Sequence, residues 1–188
     1  MAYTHINGGI MVARLAMAFC LSVSLVGTVQ ATPPKRTHAV AAPLTSAEFV
    51  RQAAISDMFE TQSSELAAIR GDAAARVFAA KMDEDHQKSS SELHMIIKPH
   101  WQATPFPPRL DAPHEAKVND LKMLQGAAFS RQYKIDQIEA HQSTVALFSR
   151  YAAAGQNEGL REFAAKMLPT LKEHLQMAQA LPTVPGPH

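Results

Sequence analysis

The stretch Lys81–Ser89, KMDEDHQKS, lies in the middle of a helical pattern, and the rest of the chain is best read outward from it. Phe78, Met82, Asp85, Ser89, Leu93 and Ile96 recur at steps of three and four, which places them on one face of a helix. His86 falls on the edge of that face, one turn beyond Met82. A core-facing stripe normally avoids ionised groups, because burying an unpaired carboxylate costs several kcal/mol or shifts its pKa. Asp85 and His86 therefore predict compensating groups on other helices.

The same period runs in both directions. Thr45-Ser46-Ala47-Glu48 has capping-box spacing and opens a helix from about Ser46 to Ile69, with the stripe Phe49, Ala53, Ser56, Glu60, Ser63 and Ala67. Gly71-Asp72 supplies a stop and the next N-cap, and the second helix covers Ala73–Ile97, closed by Pro99. Lys98–Pro113, KPHWQATPFPPRLDAP, carries five prolines and the only tryptophan, and predicts a stiff, irregular connection. Trp101 in it reads as a plug for the end of a bundle, with a lid as the functional alternative. His114–Leu124 is helical, and Gly126 weakens or bends the helix there. Ala127–Ala154 forms the third long helix, with the stripe Ile138, His141, Val145, Phe148 and Ala152. After a turn at Gly155–Asn157, a fourth starts near Glu158 with Leu160, Phe163, Met167, Leu171, His174, Ala178 and Leu181 on one face. Pro169 lies inside it and predicts a kink or a split at Met167–Leu168. No β pattern is present. The expectation is an all-α domain over 45–181: a four-helix bundle with a long Pro-rich connection between helices two and three.

Lys plus Arg number 18 and Asp plus Glu 17, a balance with no electrostatic pull toward nucleic acid. Arg14, the apolar run Leu15–Val29 and the small residues Val29 and Ala31 make the three-part pattern of a signal peptide over 1–31. The run of about 15 residues falls short of the roughly 20 that span a bilayer, so no stable membrane span is expected after its removal. Arg14 is the only ionised side chain in 1–31, so cleavage leaves basic and acidic residues equal in number. Cys20, the only cysteine, leaves with the leader, and stability must then come from packing, metal or both. Residues 32–44 read as a flexible linker and 182–188 as a disordered tail. The expected location is outside the cytoplasm, in the periplasm or associated with the outer membrane.

Depths along the helices follow from a 1.5 Å rise per residue. Glu60 lies about 14 Å from the first turn and His86 about 20 Å. His141 lies about 20 Å from the second turn and His174 about 24 Å. Each long helix thus carries a coordinating group on its stripe near mid-height. Taken singly, a core histidine usually donates to a carbonyl or carboxylate, and Asp85 serves equally well as a buried hydrogen-bond acceptor. Together, Glu60, Asp85, His86, His141 and His174 suit a transition metal, namely Zn, Fe, Mn or Cu. His94, His100 and His114 lack stripe support and read as surface. There is no Gly-rich phosphate loop, G-x-S-x-G or H-E-x-x-H, so nothing but a bound metal would support an enzyme. The alternative is a non-catalytic structural or interaction bundle of the cell envelope, its polar layer setting helix register without metal. No protein partner is indicated.

Five ordered blocks carry a resemblance: FVRQAA from Phe49, MDEDH from Met82, GAAFSRQY from Gly126, HQSTVALF from His141 and LPTLKEHL from Leu168. Over Thr45–Leu181 the chain resembles the bacterial family of domain of unknown function 4142, often labelled an exported or outer-membrane protein. The resemblance implies a ferritin-like fold and leaves activity open. Ferritin-like di-metal sites use one Glu from each of two helices and Glu-x-x-His from each of the others. Glu60 fits that pattern and Asp83-x-x-His86 approaches it. His141 stands where a Glu is expected, and Leu171 precedes His174 where a carboxylate would be. One metal held by three histidines and one or two carboxylates fits this set better than two.

Overall fold

The structure is a computed structural model that describes residues 44–100 and 105–182. The leader with Cys20, the linker up to residue 43, Trp101 and the tail from 183 onward lie outside the described residues.

All regular structure among the described residues is helical: α1 Ser46–Arg70, α2 Ala73–Ile97, α3 Ala112–Met123, α4 Gly126–Ala154 and α5 Glu158–Ala180. No helix among them is long and apolar enough to cross a membrane. Short polar side chains open four of the five. Thr45, Asp72, Asp111 and Asn157 each accept a hydrogen bond from the backbone N–H three residues on, satisfying one orphan donor per helix. The Glu48 carboxylate does not return to Thr45. It binds Arg51 at 2.7 and 2.9 Å instead.

Three boundaries differ from expectation. α3 begins at Ala112, two residues before His114, because Asp111 caps it and Pro113 fits its first turn, where no amide is needed. Gly126 does not bend a continuing helix. Leu124 and Gln125 are extended, and Gly126 adopts φ 54°, a left-handed conformation open to glycine, so α3 and α4 are separate. α5 is not split at Met167–Leu168 but runs unbroken through Pro169. Both Pro169 and Ala165, whose carbonyl loses its partner, are exposed, so the carbonyl is open to solvent rather than stranded in the core.

Two large apolar clusters and a smaller one of Ile55, Phe59, Leu110 and Val118 form the core, and the two large ones set the direction of the helices. One gathers Phe49, Leu93, Phe148, Tyr151, Leu160 and Phe163. The other gathers Ala67, Phe78, Met82, Phe129, Tyr133 and Ala178. α1 and α5 run from the first cluster to the second, whereas α2 and α4 run the opposite way. The neighbouring pairs α1–α2, α4–α5, α1–α4 and α2–α5 are therefore antiparallel. The chain between α2 and α4 must travel the length of the molecule, and α3 covers part of that distance against α1 and α4, burying Val118 and Leu121. On every long helix the residues between the two clusters include a buried polar one: Glu60, His86, His141 and His174.

Candidate metal centre

Helical phase aims these four side chains inward, though not always along the stripe read from sequence. On α2 the buried positions are Phe78, Met82, His86, Leu93 and Ile97, so His86 is central and Asp85 lies at the edge, half-buried. On α4 the buried face is Tyr133, Gln137, His141, Thr144, Phe148 and Tyr151, while Ile138, Val145 and Ala152 flank it. Both shifts are of one residue. Steps of three and four fit two adjacent faces almost equally well when small and amphipathic residues fill the flanks.

One ring nitrogen from each of His86, His141 and His174 lies within 4.8 Å of the other two. Glu60 stands against two of the rings, with Oε2 3.3 Å from His86 Nε2 and Oε1 3.7 Å from His141 Nδ1. Glu60 is 1 % exposed and the three histidines 5 % or less. The structure thus brings Glu60, His86, His141 and His174 together.

Each ring is held from outside by its other nitrogen. His86 Nδ1–H donates to Asp57 Oδ1 at 2.8 Å, and His141 Nδ1–H donates to the Gln137 carbonyl at 2.8 Å. His174 Nε2–H donates to Asp85 Oδ2 at 2.9 Å, and the same oxygen takes the Lys81 ammonium at 2.5 Å. Asp85 therefore bonds to the nitrogen of His174 that faces away from the shared space. Asp57 is itself fixed by the Ser90 hydroxyl. These anchors leave Glu60 Oε2, His86 Nε2, His141 Nε2 and His174 Nδ1, and with them Gln137 Oε1, buried without a hydrogen bond, Glu60 Oε2 and His86 Nε2 meeting only as the 3.3 Å ion pair. Leaving a buried polar atom unpaired costs about 1–3 kcal/mol, and outside that ion pair His141 Nε2, His174 Nδ1 and Gln137 Oε1 all stand in one layer.

The charge states differ around the ring. Burial disfavours the His86 imidazolium, yet the Glu60 charge and the Asp57 hydrogen bond outweigh it and raise its pKa to about 9. For His174 burial prevails over the Asp85 hydrogen bond and lowers the pKa to about 4. At neutral pH the layer holds an imidazolium proton at His86 and a neutral ring at His174.

Asp57 and Gln137 were not anticipated from the sequence. Each had a signal, since Asp57 lies three residues before Glu60 and Gln137 four before His141, on the same helical faces. Side-chain bonds between α1 and α4 extend the layer: Ser63 with Gln137 at 2.9 Å, Ser64 with Tyr133 at 2.9 Å and Ser56 with Thr144 at 2.6 Å. Of the histidines read as surface, His94 is exposed. His114 is half-buried and donates to Asp111 at 2.6 Å.

A family model, described as a domain of unknown function and designated DUF4142, matches residues 30–181. No curated protein and no solved structure matches the chain.

Proposed function

The chain belongs to the DUF4142 family of domains of unknown function, and we propose that it is an exported carrier, buffer or sensor that binds one transition-metal ion in its core. The observation that carries this reading is the set of four buried ligand atoms without a hydrogen bond, one on each of four helices. His86, His141 and His174 supply nitrogen and Glu60 supplies oxygen. Asp57, Asp85 and the Gln137 carbonyl orient the rings, as outer partners do in metal sites generally. Bonds of about 2.1 Å in a tetrahedral site require ligand atoms about 3.4 Å apart, so rings now within 4.8 Å need move by roughly an ångström or less. Three imidazoles and one carboxylate suit Zn, Fe, Mn or Cu.

The reading also takes the four long helices as a ferritin-like bundle with α3 in the long connection. Two arrangements support it: the antiparallel neighbours, and the crossing between the parallel helices α2 and α4. The leader pattern of 1–31 supports export. A metal-free structural role draws on the α1–α4 side-chain pairs, which set register, but leaves the four ligand atoms without purpose.

Elemental analysis of the mature chain purified from metal-replete cells tests the proposal. It should find roughly one transition-metal ion per chain, lost in the His141→Ala variant. Near-zero metal in a folded protein would overturn it.

A further inference from the structure

The surroundings of the four ligand atoms are not symmetrical. A cavity reaches the ligand atoms past Glu60 and His86, which line it, whereas His141 and His174 do not. Its walls are mostly apolar, made by Ala54, Leu93, Phe148, Phe163 and Leu171 with the buried Thr144. Half-buried Asp57, Ser90, Phe106 and Met167 form its rim. The space open to the centre of a water molecule is about 30 Å³, room for roughly two waters.

Resting on the metal reading above, we infer that an ion held by these four side chains keeps a fifth coordination position open toward this cavity and takes there an exogenous ligand of no more than about three non-hydrogen atoms. Two of the four ligand atoms, Glu60 Oε2 and His86 Nε2, belong to residues on the cavity wall. An ion in reach of them would border the empty space, and His141 and His174 would hold it from positions that do not line the cavity. The volume sets the size limit. The one buried hydroxyl on the wall, Thr144, is already engaged by Ser56 and the Ala140 carbonyl, so the ion itself must hold an incoming molecule.

Cobalt(II) and sodium azide are suitable probes on the full mature chain. The cobalt-loaded protein should show a saturable change in its visible d–d bands with azide, and none with imidazole at the same concentration, because imidazole is too large. Met167→Phe should narrow the cavity at its rim and abolish the azide response while cobalt uptake is kept. Leu171→Ala should widen it and admit imidazole. Cobalt uptake with bands indifferent to azide overturns the open position, and an equal response to imidazole in the unmodified protein overturns the size limit. Failure to take up cobalt at all overturns the metal reading, and the inference with it.

Discussion

Whether a carboxylate binds an ion or steers the histidine that does so is decided by which nitrogen it touches. Asp57 and Asp85 each hold a ring nitrogen other than the one left without a hydrogen bond. Asp57→Asn and Asp85→Asn should therefore weaken metal binding by about 10–100-fold while roughly one ion per chain still binds at saturation. Competition titration against a chromophoric chelator measures this. Complete loss of the site in Asp85→Asn would mean that Asp85 is a direct ligand. The raised His86 pKa makes a second prediction. Below about 9 the folded, metal-free protein keeps a proton on the ring, and the ion must displace it. Apparent affinity should rise with pH up to about 9, by close to tenfold per unit where His86 alone titrates. Calorimetry in buffers of different ionisation enthalpy should show proton release on binding at pH 7. Affinity independent of pH from 6 to 8 would contradict the assignment. In the metal-free protein the sign is opposite: the stability that His86 contributes is complete below its unfolded pKa and is lost as pH rises through about 9.

Each long helix carries its ligand between two apolar anchors, and this explains how α5 tolerates a proline. Phe163 and Leu171 on either side of Pro169 are buried in the same cluster, so tertiary packing holds both halves in line. The ring still removes one hydrogen bond. Pro169→Ala should raise stability by roughly 1–3 kcal/mol, or several degrees of melting temperature, without changing metal stoichiometry. An unchanged or lower melting temperature would show that the helix already absorbs the proline at no cost. The helix ends were legible because capping is local chemistry: Thr45, Asp72 and Asn157 act within three residues of themselves. The start of α3 was misplaced because Pro113 signals a loop and a first helical turn equally well.

Across the molecule, the polar layer lies between the two large apolar clusters, and an ion bound there would couple to folding of all four long helices. Ion present at about 100 times its dissociation constant should add about 2.7 kcal/mol to stability, and a chelator should remove it. Thermal melts with and without chelator measure the difference. Replacing Glu60, His86, His141 and His174 together by Leu or Met should abolish the metal-dependent increment while leaving the metal-free protein at least as stable. A melting temperature that ignores chelator and ion alike would point to a polar layer serving only register. The residue types at mid-height of each long helix were plain from the pattern, because buried polar groups stand out against a stripe of Phe, Leu and Ala. The all-α class followed likewise from the period of three and four, and family membership from blocks such as MDEDH and HQSTVALF. Which neighbour of the Asp85–His86 pair faces inward, that Asp57 rather than Asp85 holds His86, and where an open space meets the layer all required the packed helices. A one-residue difference in facing is a rotation of about 100°, which a repeat of 3.6 leaves nearly degenerate and only contact with the other helices resolves.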